Sequence, residues 1–284
     1  MLDMVFDKIK SYAKINLALY VNGKNSNLHK IETIVAFISL HDQIFIRKIK
    51  SSNHKIKFYG KFSKNIGKNN TVSKLLNILD KKKVLGNKKF SIRIKKEIPN
   101  KAGLGGGSMN AATILKYFID RGAVKNNYKE ILSISELIGS DVKLGLKLEH
   151  SILTSKNEIK SFKKLKTLFT LVMKPNFGCS TKEIYSKVRK FSKPKFIKPS
   201  RQIFHIKKLK KFENSLQPIA FNKYPKLREL YYDLENSNKP IFVRMTGSGS
   251  ALIAYFKSQK ICNKAKQNLM KKYKNYWCIV SKTI

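Results

Sequence analysis

Residues 14–21 alternate in polarity with a period of two. Ile15, Leu17, Leu19 and Val21 fall on one face, and Lys14, Asn16, Ala18 and Tyr20 on the other, which predicts a strand. Two further β-rich runs, 32–40 and 43–49, are separated by His41-Asp42, which reads as a turn, and 55–59 is another short alternation. Asn70-Thr71 then offers a helix cap, with Val72, Leu75, Leu76 and Leu79 at helical spacing. Phe90, Ile92 and Ile94 predict a strand that ends at Pro99, and 109–118 and 128–138 read as two helices.

In the second half, 168–173 reads as a strand, and Ser180 or Thr181 caps a helix that reaches Phe191. A helix over 224–234, a strand over 251–256, an amphipathic helix over 259–273 and a closing strand over 277–280 follow. Residues 149–166 read as a Lys-rich connection, and 192–211 as a basic surface excursion with Pro194 and Pro199. The composition shift places a boundary between a domain over 1–158 and one over 159–284. Strands and helices in mixed order predict two-layer α+β domains rather than a βαβ array.

With 284 residues, 42% of them hydrophobic, the chain can bury a sizeable core and is long for a single one. It carries 60 Lys and Arg against 17 Asp and Glu, a net charge of +43. Such a charge suits nucleic acid, an anionic membrane or a polyphosphate ligand. Only seven of the 60 are Arg, whose planar fork is the better phosphate reader; Lys excess alongside many Asn and Ile matches a chain-wide composition bias. Cys179, Cys262 and Cys278, sparse, odd in number and without a CxxC pair, argue against a disulfide framework and a zinc site. The N-terminal segment holds Asp3 and Asp7 without an apolar core of signal-peptide length, and no apolar run approaches bilayer length. A cytoplasmic protein is expected.

The strongest chemical signal is Pro99-Asn-Lys-Ala-Gly-Leu-Gly-Gly-Gly-Ser108, between a predicted strand and a predicted helix. Glycines let backbone N–H groups approach an anion, and a helix N-terminus favours negative charge. No Gly-Lys-Ser/Thr follows, and Ser108 stands where a dinucleotide fingerprint needs glycine, so neither of those motifs applies. Taken singly, Lys14 reads as a solvated charge, Asp141 as a cap or turn residue, and the 247–249 glycine turn as a hairpin.

Together the pieces resemble a family. Ala13-Lys-Ile-Asn-Leu17, Ala102-Gly-Leu-Gly-Gly-Gly-Ser108 and Met245-Thr-Gly-Ser-Gly249 are similar, in order and spacing, to the three motifs of the kinases named after galacto-, homoserine, mevalonate and phosphomevalonate kinases. His29 and Gly139-Ser-Asp-Val142 resemble the branch whose acceptor is a cytidine-diphosphate-linked methylerythritol. The resemblance implies an N-terminal domain like the second domain of ribosomal protein S5, a ferredoxin-like C-terminal domain, and phosphoryl transfer from ATP with Mg²⁺ to the acceptor hydroxyl. It implies that Asp141 takes the hydroxyl proton and that Lys14 holds Asp141 ionised and stabilises charge at the reacting oxygen. It places ATP on Pro99, Asn100, Lys101, Ala102, Gly103, Leu104, Gly105, Gly106, Gly107, Ser108 and Met109, with Ser108 as a candidate Mg²⁺ ligand and no dedicated metal cluster. Asn16, His29, Thr181 and Tyr185 would contact the cytidine end.

The chain departs from the family at Asn27-Leu28 before the histidine, at Met109, at Lys143 and over 150–158. A homoserine or mevalonate type of kinase is the alternative enzyme. An RNA-binding protein on the same scaffold would need basic residues gathered on one face, whereas the lysines here run through nearly every segment. No specific nucleic acid or membrane partner is expected, and the chain should act as a monomer or weak homodimer.

Overall fold

The structure is a computed structural model that describes residues 5–25, 29–125 and 127–284. The chain divides into two compact units: residues up to Ala13 with 40–99 and 105–148, and residues 14–39 with 100–104 and 149–284. Two long strands, β1 (Asp7–Lys24) and β2 (His29–Ile49), supply residues to each.

In the first unit, β3 (Lys55–Tyr59) runs parallel to β4 (Lys89–Lys95), which pairs antiparallel with the later part of β2, Gln43 opposite Lys95. Helices α1 (Thr71–Lys81), α2 (Gly106–Asp120) and α3 (Tyr128–Ile138) supply the rest of its core. Ile44, Ile46, Ile92 and Ile94 from the strands meet Val72, Leu75, Leu115 and Ile134 from the helices. The α1 start has the anticipated cap: Asn70 accepts from Val72 and Ser73, while Ser73 Oγ caps the Asn70 N–H. Such a cap contributes about 1 kcal/mol.

The expected turn at His41-Asp42 is absent, and β2 continues through it. Asp42 is fully buried; it pairs with Lys96 and accepts the N–H groups of Glu97 (2.8 Å) and Ile98 (2.9 Å). The residue type suggested a turn, but a carboxylate with three donors satisfied has no need of one.

In the second unit, the early part of β2 pairs with β5 (His150–Leu153), and β5 pairs with β6 (Ile159–Phe162). The expected 149–166 connection is therefore a hairpin, whose first strand is buried throughout. The chain continues through β7 (Phe169–Lys174), α4 (Thr181–Ser186), α5 (Ile206–Leu209), α6 (Gln217–Lys223), α7 (Pro225–Asn236), β8 (Phe242–Met245), β9 (Leu252–Phe256), α8 (Gln259–Lys272) and β10 (Trp277–Lys282). The four strands from β7 onward form an antiparallel sheet in the order β10-β7-β9-β8. With α7 leading into β8 and α8 into β10, this is the ferredoxin-like β-α-β-β-α-β arrangement. Leu171, Met173 and Ala254 of the sheet pack with Leu227, Leu230 and Leu234 of α7 and with Ala265 and Leu269 of α8.

Helix α4 stops at Ser186 rather than Phe191, because Lys187 and Val188 turn their N–H groups back to Ile184 and Tyr185. The basic stretch 192–211 is pinned rather than loose. Glu32, fully buried, accepts the N–H groups of Lys195 and Phe196, and Phe196, Ile203 and Leu209 are buried. The boundary expected between 158 and 159 follows chain order; the compact units interleave instead, because β1 and β2 are long enough to serve both.

Candidate functional site

In the second unit a buried polar chain surrounds Lys14. Its ammonium Nζ donates to Asn16 Oδ1 at 2.8 Å. Asn16 Nδ2 donates to Thr33 Oγ1 at 2.8 Å, and Thr33 Oγ1 donates to the Ala18 carbonyl at 2.6 Å. The Asn16 N–H donates to Thr246 Oγ1 at 3.0 Å. Lys14 and Asn16 project from the polar face of β1 that the alternation predicted, yet that face is buried here, as are Thr33 and Thr246. A lysine kept in such a place needs oxygen partners.

The glycine loop divides in two. Its first part lies in the second unit and braces the other glycine turn. The carbonyls of Lys101 and Ala102 accept from Ser250 (3.3 Å) and Ala251 (3.1 Å), and that of Gly103 accepts from Thr246 Oγ1 at 3.1 Å. Gly103 has φ +73°, and a Cβ there would stand 2.0 Å from the Thr246 carbonyl oxygen. Gly247, at φ +54°, faces Gly103 from the other side, where a Cβ would stand 3.1 Å from the Gly103 carbonyl oxygen. Only glycine permits both approaches. Asn214 Nδ2 fastens the turn by donating to the carbonyls of Met245 and Gly247, each at 2.8 Å, and the Lys14 N–H donates to the Leu104 carbonyl at 3.1 Å.

The second part, in the first unit, opens α2. Gly105 is the N-cap at φ +67° and supplies no side-chain cap. The N–H groups of Gly106, Gly107 and Ser108 therefore head the helix without intrahelical acceptors, an anion seat. Thr71 Oγ1 donates to the Gly107 carbonyl at 2.7 Å, and the Lys96–Asp42 pair holds the end of β4 from which the loop departs. Asp141, half-buried, opens a short 3₁₀ turn over Val142–Gly145 after α3. Gly145 leaves room there for Met109, since a Cβ would lie 2.8 Å from its sulfur.

These placements change several expected roles. Met109 cannot serve a nucleotide: its N–H donates to the Gly105 carbonyl at 2.8 Å and its side chain is buried against the turn that begins at Asp141. Pro99 is buried and has no N–H. Ala102 and Leu104 are buried, and the carbonyls of residues 101–104 are engaged within the protein, while Asn100 and Lys101 are exposed. Asn16 is 1% exposed and held at both ends of its amide, by Lys14 and by Thr33. His29 and Tyr185 do come together, with ring centroids 5.0 Å apart. Burial, helped by the charge of Lys24, lowers the His29 pKa below its usual value and keeps the ring neutral at pH 7. Thr181 shares a hydrogen bond with Ser248 at 2.9 Å. Leu28 lies outside the described residues. Thr33, Thr246, Asn214, Asp42 and Lys96 were not anticipated. Thr246 stood within a motif that was read for its glycines, whereas nothing in the sequence marks the others.

Residues 70–149 match the GHMP kinases N terminal domain, and residues 204–275 match GHMP kinases C terminal. The chain is 54% identical over 277 residues to a 4-diphosphocytidyl-2-C-methyl-D-erythritol kinase of Pelagibacter ubique (strain HTCC1062), which covers 98% of this chain and 99% of that protein. It is 34% identical over 275 residues to a protein of the same name from Persephonella marina (strain DSM 14350 / EX-H1), covering 89% and 94%. In fold it is similar to a crystal structure of a 4-(cytidine 5'-diphospho)-2C-methyl-D-erythritol kinase, with a TM-score of 0.79 at 23% identity over 98% of this chain and 100% of that one. A homoserine kinase from Cytophaga hutchinsonii ATCC 33406 gives a TM-score of 0.73 at 14% identity over 99% and 95%.

Proposed function

The chain belongs to the GHMP kinases, and we infer on that premise that it transfers the γ-phosphoryl group of ATP to the 2-hydroxyl of 4-diphosphocytidyl-2-C-methyl-D-erythritol, a step of the non-mevalonate route to isoprenoid precursors. The carrying observation is identity to a kinase of that name along nearly the whole of both chains. The glycine-opened N-terminus of α2 fits a triphosphate.

The hydroxyl oxygen attacks the γ-phosphorus, the bond to the bridging oxygen breaks, and ADP leaves. Asp141 receives the hydroxyl proton. The ammonium of Lys14 stabilises the charge that develops on the reacting oxygen. The amides of Gly106, Gly107 and Ser108 hold phosphate oxygens, with Asn100, Lys101 and Gly105 beside them. Among the described residues, no three His, Cys, Asp or Glu side chains gather as a metal site. Mg²⁺ carried on the nucleotide would retain waters and lean on phosphates, and the Ser108 hydroxyl would be its protein ligand. Bound there, Mg²⁺ would neutralise phosphate charge. His29 and Tyr185 offer an aromatic wall for the cytosine, and Thr181 a hydroxyl for the ribose. No helix among the described residues is long and apolar enough to cross a membrane, and we place the enzyme in the cytoplasm as a monomer or weak homodimer. No specific nucleic-acid partner is assigned to it.

The test is ADP release measured with three acceptors: the cytidine-diphosphate methylerythritol, homoserine and mevalonate. Turnover with the first alone is expected. Turnover confined to either of the others would replace the substrate assignment.

A further inference from the structure

We propose that Thr33 and Thr246 are positioning residues for Lys14, acting through the Asn16 amide; the proposal rests on Lys14 being catalytic. A hydroxyl carries one proton. The Thr33 proton goes to the Ala18 carbonyl, 2.6 Å away. Thr33 Oγ1 can therefore only accept from Asn16, so the amide atom 2.8 Å from it must be Nδ2. The same choice turns Oδ1 toward Lys14 Nζ at 2.8 Å. Were the amide reversed, its NH₂ would face the ammonium and its oxygen would face a hydroxyl with no proton to offer.

Thr246 supplies the second constraint. It accepts the Asn16 N–H at 3.0 Å, and its proton can reach Asn16 Oδ1 (3.3 Å) or the Gly103 carbonyl (3.1 Å). The strand position of Asn16 and the direction of its amide are thus both set by threonine hydroxyls. Exposures of 4% for Lys14, 1% for Asn16, 1% for Thr33 and 0% for Thr246 leave little access for water to replace a lost partner, which makes the direction of each bond matter. The arrangement fixes the direction from which the Asn16 oxygen meets the lysine ammonium.

The experiment is steady-state kinetics of the full chain carrying Lys14→Ala, Thr33→Val, Thr33→Ser, Thr246→Val and Thr246→Ser, with the Lys14→Ala/Thr33→Val double variant and melting temperatures for all. A misplaced catalytic group loses roughly 10- to 100-fold. Thr33→Val is expected to lose that much kcat with KM for ATP unchanged. Thr33→Ser should recover most of it because the hydroxyl returns, and the Thr246 pair should follow the same pattern. The double variant should be no slower than Lys14→Ala alone. Multiplying losses in the double variant, or wild-type kcat in both valine variants, overturns the proposal while leaving Lys14 catalytic. Near-wild-type turnover of Lys14→Ala overturns the catalytic reading and the proposal together. The serine variants keep the shape of the network and carry the test where a valine variant fails to fold: a serine variant that folds but loses roughly 10-fold or more of kcat overturns the proposal.

Discussion

The two glycine-rich stretches look alike in sequence and do opposite things. At 105–107 the glycines open a helix, and Gly107 is exposed at its first turn with the amide groups left unpaired by the helix. At 245–250 the backbone turns inward: Thr246 and Ser250 are fully buried, and Gly247 and Gly249 have φ of +54° and +85°. There the missing side chains admit other parts of the protein, the Gly103 backbone at Gly247 and the Met245 and Cys179 sulfurs at Gly249. Glycine leaves a helix N-terminus open in the first case and admits close packing in the second. The surrounding contacts, not the motif, separate the two.

The largest effect expected from this contrast is at Gly103. Gly103→Ala would force a Cβ to 2.0 Å from a backbone carbonyl at φ +73°, and both the contact and the backbone conformation would have to give way. A loss of about 4 kcal/mol or more is expected, read as a fall in urea midpoint. A variant of wild-type stability would show that this turn is not packed as described.

The dryness of the second unit can be tested with pH. Burial lowers the His150 pKa from 6.5 to about 4. The unfolded chain therefore binds the proton first, so the contribution of neutral His150 is present above pH 6.5 and is lost as pH falls through about 4. That difference corresponds to roughly 3 kcal/mol. Urea melts at pH 7 and pH 4.5 should show the wild type losing more stability than His150→Phe; equal losses would mean that water reaches the ring.

Asp141→Asn probes the reaction rather than the packing. A general base accounts for roughly 10²-fold or more in rate, so kcat should fall by that factor, with melting temperature and KM for ATP little changed. Wild-type turnover would remove Asp141 from the mechanism.

The smallest stability change should come from the open stretch. At Gly107 an added Cβ would meet the Thr71 side chain, its hydroxyl at 3.2 Å and its methyl at 3.9 Å. Alanine favours a helix over glycine by about 1 kcal/mol, so Gly107→Ala should melt no lower than the wild type. Its KM for ATP should nevertheless rise several-fold, because the methyl group would stand where a phosphate approaches. An unchanged KM would move the phosphate seat elsewhere and erase the contrast between the two stretches.

What the sequence determined by itself was local. The α1 cap at Asn70, the bounds of α3, the strand phase of Lys14 and Asn16 and the order of the three motifs were all legible, because each depends on residues within a turn or two of one another. The family followed from motif order, and with it the ferredoxin-like half. The continuity of β2 through Asp42, the hairpin over 150–162 and the direction of the Asn16 amide were decided only by tertiary structure. So was the splitting of the glycine loop between two compact units. Asp42 is satisfied by groups more than fifty positions away, and Asn16 by Thr246, 230 positions away. A polar residue shows what bonds it can make, while the partner that completes them is chosen by the fold, since burial removes the water that would otherwise serve.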